Sequence, residues 1–306
     1  MLHATTTPAA KRAALRAALA GDDLLRFPGA VNPLSARLVQ RKGFEGVYLS
    51  GAVMSAELGL PDVGLTTLSE VAERAAQVAR TTDLPVLVDA DTGFGEPLNL
   101  ARTVQVLEDA GVAALHVEDQ VNPKRCGHLE GKQVVDLPTA VRRVTAAVGA
   151  RRDDGLVVVA RTDVRALEGL DATLERARAL VDAGADVVFP EALADLGEFE
   201  ALASAVEVPV LANMTEFGRS DLFTHEQLRD AGVRVVIHPV SLLRLAMGAA
   251  DRALDALARE GTLAGEVERM QTRAELYDLL DYASYGVFDT AVYDVTLEGN
   301  RTHRPG

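Results

Sequence analysis

The chain has 306 residues, room for one large α/β domain or two ordinary ones, and its 31 Lys and Arg against 45 Asp and Glu leave a formal charge of −14. That balance excludes a sequence-independent grip on nucleic acid or on an anionic membrane, so an anionic ligand needs a locally basic site. A single cysteine excludes an intramolecular disulfide framework and fits a reducing, cytoplasmic compartment, while 48% hydrophobic residues supply ample core without staples.

Residues 1–25 alternate Ala with Arg, Lys and Asp and contain no uninterrupted apolar run, so they are expected to form neither a signal peptide nor a membrane span. Beyond them, short runs rich in Val, Ile and Leu recur, each followed by a longer stretch of helical spacing. The expected strands are 24–31, 46–50, 85–90, 113–118, 156–160, 186–190, 209–212 and 234–238. Four are introduced by a helix end and a glycine, at Gly43, Gly111, Gly184 and Gly232, each able to take the left-handed conformation that closes a helix. Strands apolar on both faces and alternating with helices imply a parallel sheet covered by helices, and eight such units fit a (β/α)8 TIM-type barrel better than an open sheet. No linker or low-complexity stretch interrupts them. The expectation is one barrel domain over 1–306 with a C-terminal helical extension from about 242, comprising helices at 242–260 and 265–282. That is more helix than a closed barrel needs, so part of it is expected to pack on a neighbouring subunit.

In such a barrel the chemistry sits where strands end. The expected strand ends deliver Ser50, Asp89, Asp91, Glu118, Arg161, Glu191, Asn213, Thr215 and, one turn on, Arg244. Asp89 and Asp91, two apart in extended chain, share a face, with Gly93 and Gly95 leaving room above them. Carboxylates converging there with Glu118 repel unless a cation lies between them, and oxygen-only ligation suits Mg2+ or Mn2+. Gly93-Phe94-Gly95 lacks the third glycine of a dinucleotide fingerprint; no His/Cys spacing suggests zinc, and no Gly-x-Ser-x-Gly elbow suggests a serine hydrolase. The run Pro123-Lys124-Arg125-Cys126-Gly127-His128 sets the lone cysteine among cations, an environment for a reactive thiol. Of the other histidines, His116 reads as a hydrogen-bonded core residue and His225 as an exposed helix-start residue, while His238 is open to either reading.

Lys124-Arg125-Cys126-Gly127-His128, with Val88-Asp89-Ala90-Asp91-Thr92-Gly93-Phe94-Gly95 and Ala160-Arg161-Thr162-Asp163, resembles the isocitrate lyase and phosphoenolpyruvate mutase superfamily, and within it the 2-methylisocitrate lyase family. The resemblance runs from about residue 10 to 290 and includes Tyr48-Leu49-Ser50-Gly51, Leu58-Gly59-Leu60-Pro61-Asp62 and Thr215-Glu216-Phe217-Gly218. It implies an Mg2+-dependent carbon–carbon lyase of the methylcitrate cycle in propionate catabolism, acting on a 2-hydroxy tricarboxylate and releasing pyruvate and succinate. By the same resemblance Asp89 and Asp91 hold the metal, with Glu118 joined through water. Cys126 is the acid/base, with Arg161, Lys124 and His128 as its catalytic company. Substrate contacts fall on Ser50, Gly51, Ala52, Gly127, Arg161, Glu191, Asn213, Met214, Thr215, Arg244 and Arg273, with Phe189 and Ile237 walling a pocket for the substrate methyl. True isocitrate lyases are similar but carry tryptophan at the position matching Phe189. A homotetramer with a helix exchanged between subunits is also implied. Two departures stand out: Ala52 where glycine is usual, and Leu129-Glu130-Gly131 where close relatives have arginine-proline-asparagine. The alternatives are a sibling lyase acting on isocitrate, a dimethylmalate or oxaloacetate, and a non-catalytic metabolite-binding barrel.

Overall fold

The computed structural model describes residues 4–125, 131–218 and 220–293. In chain order these form α1 (Pro8–Leu19), β1 (Leu25–Pro28), α2 (Pro33–Arg41), β2 (Val47–Leu49), α3 (Gly51–Glu57), α4 (Leu68–Ala79), β3 (Val86–Asp89), α5 (Pro97–Asp109), β4 (Ala114–Glu118) and α6 (Leu137–Gly149). There follow β5 (Val157–Thr162), α7 (Arg165–Asp182), β6 (Val187–Pro190), α8 (Leu196–Ala205), β7 (Val210–Asn213), α9 (His225–Asp230), β8 (Val233–His238), α10 (Ser241–Glu260), α11 (Arg273–Leu279) and α12 (Tyr282–Tyr293).

The strands lie parallel in the order β1-β8-β7-β6-β5-β4-β3-β2. The seam between β1 and β2 is closed by Gly46 N–H donating to the Arg26 carbonyl at 3.3 Å and Ala30 N–H to that of Tyr48 at 2.9 Å. The result is the expected (β/α)8 barrel. Gly43, Gly111, Gly184 and Gly232 all take positive φ at the helix-to-strand turns. Strand β5 runs two residues beyond its expected end, because Arg161 and Thr162 continue the ladder against Phe189 and Pro190 of β6.

Period-two alternation sorts each strand into an inner and an outer face. Phe27, Tyr48, Leu87, Ala114, Val157, Val159, Val187, Phe189, Leu211, Val235 and Ile237 fill the barrel interior as one cluster. The residues between them, such as Val88, Leu115 and Val158, pack outward beneath the helices, as do Val188, Ala212 and Val236 on the far side. The same parity carries the next inward positions to the mouth.

The opposite end is sealed by α1, whose cations turn inward. Arg12 (5% exposed) donates to the carbonyls of Val112 at 2.9 Å and Glu108 at 2.6 Å and pairs with Asp153 at 2.8 Å. Lys11 reaches the carbonyl of Ala79, and Arg16 those of Gly155 and Leu156. These carbonyls precede strands β3, β4 and β5, so α1 satisfies backbone acceptors that the barrel floor leaves over.

The C-terminal extension is more broken than its periodicity suggests. Instead of one helix over 265–282 there is a short 3-10 turn at Ala264–Arg269, then α11, then α12. Thr272 and Glu275 form a capping box that restarts the helix, and Asp281 at φ 55 breaks it again before Tyr282. Leu245 on α10 and Val287 on α12 are 70% and 71% exposed, leaving an apolar face uncovered in the single chain. Among the described residues no helix is long and apolar enough to cross a membrane.

Replacing Arg12 by methionine leaves two floor carbonyls unsatisfied, which costs about 2–4 kcal/mol, while the partly exposed Asp153 turns to water. The variant should therefore melt well below the parent in a thermal scan, whereas a melting point equal to the parent's would show that water satisfies those groups.

Candidate active site

The alternation in the strands fixes the ring of side chains at the mouth. One inward step above the apolar layer stand Ser50 after β2, Asp89 on β3, Glu118 on β4, Arg161 on β5, Glu191 after β6 and Asn213 on β7. Together with Tyr48, Asp62, Lys124, Thr215, Phe217, Pro239, Val240 and Arg244, most of them line a cavity of about 240 Å³. Ala52 lines it too. The Ser50 hydroxyl makes no capping bond to α3 and is left to the cavity.

Asp89 is held from two sides. Gly51 N–H donates to its Oδ2 at 3.0 Å, and a Cβ at Gly51 would lie 2.9 Å from the same oxygen, so this approach requires glycine. His116 Nε2 lies 3.4 Å from Asp89 Oδ1 and 2.8 Å from the Tyr48 hydroxyl. As expected, His116 is a buried, hydrogen-bonded core residue. Burial lowers its pKa to about 4, so the ring is neutral at neutral pH. Burial also works to raise Asp89, but with the imidazole neutral the nearby cations Lys124 and Arg161 still hold the carboxyl below its usual range.

Asp91 follows at φ 46, a left-handed turn that a short acidic side chain tolerates and that swings its carboxylate back towards Asp89. Burial and the charge of Asp89 raise Asp91 to about 6, and Lys124 opposes them. Lys124, 3% exposed, places Nζ 2.7 Å from Asp91 Oδ1 and also bonds Asp62. The contact with Asp91 is an ion pair out of hydrogen-bond alignment, so Asp91 Oδ1 still lacks a donor, as does the buried Glu118 Oε1. Burial holds Glu118 well above the usual carboxylate range, against the pull of Arg161.

Among the described residues no three side-chain ligands close on one point. The adjoining carboxylates of Asp89 and Asp91, with the unbonded Glu118 Oε1 near them, fit a hard dication that keeps water and substrate oxygens in most of its positions, which is the Mg2+ habit.

Arg161 lies over the Phe189 ring at 5.1 Å, with Nε 2.9 Å from Asp163 Oδ2 and 3.3 Å from Glu118 Oε2, and NH2 3.6 Å from Glu191 Oε2. Asn213 faces Glu191 at 3.4 Å. Arg244 donates to Thr215 Oγ1 at 3.1 Å and to Glu216, with its guanidinium over Phe217.

Four expected residues stand elsewhere. Met214 has outward parity and is 1% exposed in the outer core, so its side chain does not line the cavity. Phe189 and Ile237, expected as pocket walls, are instead sealed in the barrel interior at 0% and 1% exposure, and Arg161 roofs the ring. Arg273 begins α11, exposed and outside the cavity lining. Cys126, Gly127 and His128 lie outside the described residues. His225 is half-buried rather than exposed, its Nε2 3.1 Å from that of His238. Tyr48, Asp62, Glu216 and Asp163 are parts of the mouth to which sequence reasoning gave no role. Tyr48 was recoverable from parity, since it stands two residues before Ser50.

A carboxyl raised to about 6, as Asp91 is, favours the folded state while protonated, and that contribution is lost as pH climbs through about 6. Below that point a dication must also expel the proton. Adding Mg2+ or Mn2+ should therefore raise the melting temperature more at about pH 7.5 than at about pH 5. An equal rise at both values, or the same rise in Asp91→Asn, would place the ion elsewhere.

The model of the phosphoenolpyruvate phosphomutase family matches residues 15–258. A probable 2-methylisocitrate lyase 2 of Corynebacterium glutamicum is 56% identical over 298 residues, covering 97% of each chain. A 2-methylisocitrate lyase of Aeropyrum pernix is 47% identical over 91% of this chain and 90% of its own. Among solved structures, a 2,3-dimethylmalate lyase of the PEP mutase/isocitrate lyase superfamily superposes with a TM-score of 0.85 at 35% identity, over 96% of this chain and all of its own.

Proposed function

The chain belongs to the phosphoenolpyruvate phosphomutase family, and we propose that it cleaves 2-methylisocitrate to pyruvate and succinate, as its near-full-length relatives are named for doing. The observation that carries this reading is the mouth itself, in which Asp89 lines a cavity of about 240 Å³ together with Arg161, Arg244 and Lys124, the lysine being paired with the adjoining Asp91. A 2-hydroxy tricarboxylate needs both features: carboxylates to hold a dication, and guanidinium groups to receive its remaining negative charge.

Asp89 and Asp91 would hold Mg2+, with Glu118 joined through water. Bound there, the ion supplies positive charge that lowers the pKa of the 2-hydroxyl and favours the departing keto acid. The chain's own groups do the rest. Arg161 and Arg244 pair with carboxylates remote from the hydroxyl, and Ser50, the Gly51 and Gly127 backbones, Glu191, Asn213 and Thr215 fix the orientation of the substrate. Met214 contributes through its backbone. As the hydroxyl proton passes to solvent, the electron pair left on oxygen forms the keto C=O of pyruvate and the bond between C2 and C3 breaks. Its electron pair passes to C3, which becomes the methylene of succinate by taking a proton from Cys126 Sγ. The thiol must start protonated, so Lys124, Arg125 and His128 would serve the thiolate left after donation rather than create one beforehand. Lys124 is already engaged with Asp62 and Asp91, which makes it a link between the metal-holding carboxylates and the thiol-bearing segment.

The homotetramer belongs to the same proposal. The uncovered apolar face of α10 and α12 asks for a partner, and an exposed Arg273 outside its own cavity would then serve a neighbour's.

The reading is tested by assaying pyruvate and succinate release from a panel of 2-hydroxy di- and tricarboxylates with Mg2+. With Phe189 and Ile237 sealed below, Ala52, Pro239 and Val240 are the apolar lining left for a methyl; filling such a space is worth about 10–200-fold, so kcat/KM should be higher for 2-methylisocitrate than for isocitrate. Equal or better use of isocitrate or of a dimethylmalate would move the assignment to a sibling lyase, and no turnover at all would leave a metabolite-binding barrel. Cys126→Ser should bind metal and succinate normally yet lose on the order of 10²–10⁴ in kcat, the worth of a positioned acid. Near-normal turnover in that variant would remove Cys126 as the proton donor.

A further inference from the structure

Lys132 is 5% exposed and lies deep beside the mouth, although it follows a loop and belongs to no helix or strand. A short antiparallel return brings it there. Val121 N–H donates to the Gln133 carbonyl and Val135 N–H to that of Asp119, both at 2.8 Å, fastening the chain after residue 131 to the end of β4. From this anchor Lys132 Nζ reaches Asp163 Oδ1 at 2.8 Å.

Asp163 is wholly buried and shared. Its Oδ2 accepts from Arg161 Nε at 2.9 Å, and its Oδ1 accepts from both Lys132 and Arg161 NH2, the latter at 3.2 Å. Its position is locked from behind, since its own backbone N–H donates to Asp119 Oδ1 at 2.9 Å while Thr162 and Arg176 hold Asp119 Oδ2. One carboxylate thus serves two cations. Arg161 contacts its other carboxylates only at longer range, Glu118 at 3.3 Å and Glu191 at 3.6 Å.

We propose that Lys132 is a positioning residue for Arg161: by sharing Asp163 it limits how tightly that carboxylate draws in the guanidinium, and so leaves Arg161 directed into the cavity to receive a carboxylate of the ligand. Without the ammonium, Asp163 has its full charge to spend on Arg161, and the fork closes onto it as a shorter bidentate pair. The guanidinium is then withdrawn from the ligand without being removed. The proposal rests on the reading of Arg161 as a carboxylate-binding residue.

The experiment uses the full chain with Mg2+ and compares Lys132→Met and Lys132→Arg. Lys132→Met should raise KM for 2-methylisocitrate and weaken succinate binding by calorimetry, each on the order of 10-fold, with kcat changed much less. Mn2+ affinity, read by paramagnetic resonance, should stay near that of the parent, and Lys132→Arg should restore substrate affinity to near the parent value. In an Arg161→Lys background Lys132→Met should add little, because the fork it positions is already gone. Multiplicative losses in the double variant, or equal loss of Mn2+ and succinate affinity, would overturn the relay in favour of general loosening. If Lys132→Met does not fold, Lys132→Met with Asp163→Asn removes both charges together; with nothing left to draw the guanidinium in, its KM should stay near the parent value, and a KM raised on the order of 10-fold in that protein would overturn the relay. Failure of the functional reading shows separately, as a parent enzyme that neither turns over 2-methylisocitrate nor binds succinate. The relay is then judged by thermal denaturation alone, where the Lys132 and Arg161 substitutions must be non-additive for it to stand.

Discussion

The mouth of this barrel is built around a buried excess of carboxylate. Asp89, Asp91, Glu118, Asp119, Asp163 and Glu191 are all less than one-tenth exposed, and the described residues set five similarly buried cations against them: Lys124, Lys132, Arg143, Arg161 and Arg176. Ions removed from water cost several kcal/mol each unless closely paired, and among the described residues these carboxylates outnumber these cations by one. The consequence appears at Asp91 and Glu118, both raised by burial, so that a proton offsets the imbalance. A dication answers the same need more strongly. It also makes the mouth hospitable to a tricarboxylate, which would otherwise enter a site whose net charge repels it.

Maintaining that arrangement requires the opposite end of the barrel to be quiet. Three cations of α1 cap backbone carbonyls at the floor, and the interior between floor and mouth is filled with apolar side chains. Stability and chemistry therefore draw on different ends of the same strands. A change at Arg12 and a change at Asp89 act on separate parts of the molecule even though both are buried charges in one barrel.

The strands and much of the mouth were legible in the sequence for a single reason: parallel strands carry their code in alternation. Once strand β5 is placed, Val157, Val159 and Arg161 must share the inner face, and the same counting delivers Asp89, Glu118, Glu191 and Asn213. Parity also explains where the reading slipped. Met214 follows Asn213 by one residue and so points to the outer core, and Phe189 precedes Glu191 by two and so lies a layer below the cavity it was expected to wall. Other features were hidden because nothing local marks them. The cations of α1 read as a solvated helix face until the floor carbonyls are in view. Asp62 meets Lys124 across 62 residues of chain. The break at Asp281 lies within a stretch of unbroken helical spacing.

The segment from Lys124 to Lys132 shows how the fold ties a reactive loop to its site. Each end is a buried lysine resting on a carboxylate of the mouth: Lys124 on Asp91, and Lys132 on Asp163. Neither carboxylate is passive, since Asp91 faces the proposed metal and Asp163 holds the guanidinium that would receive the substrate. A cation arriving at Asp91 competes with Lys124 for the same oxygen, while an anion arriving at Arg161 competes with Asp163 for the same fork. Both proposed ligands would thus act on the anchors of the segment carrying Cys126. On the proposed reading, the charges that would bind the reactants also hold the two ends of the segment carrying the proposed acid, which would couple proton donation to occupancy of the site through ordinary ion pairing.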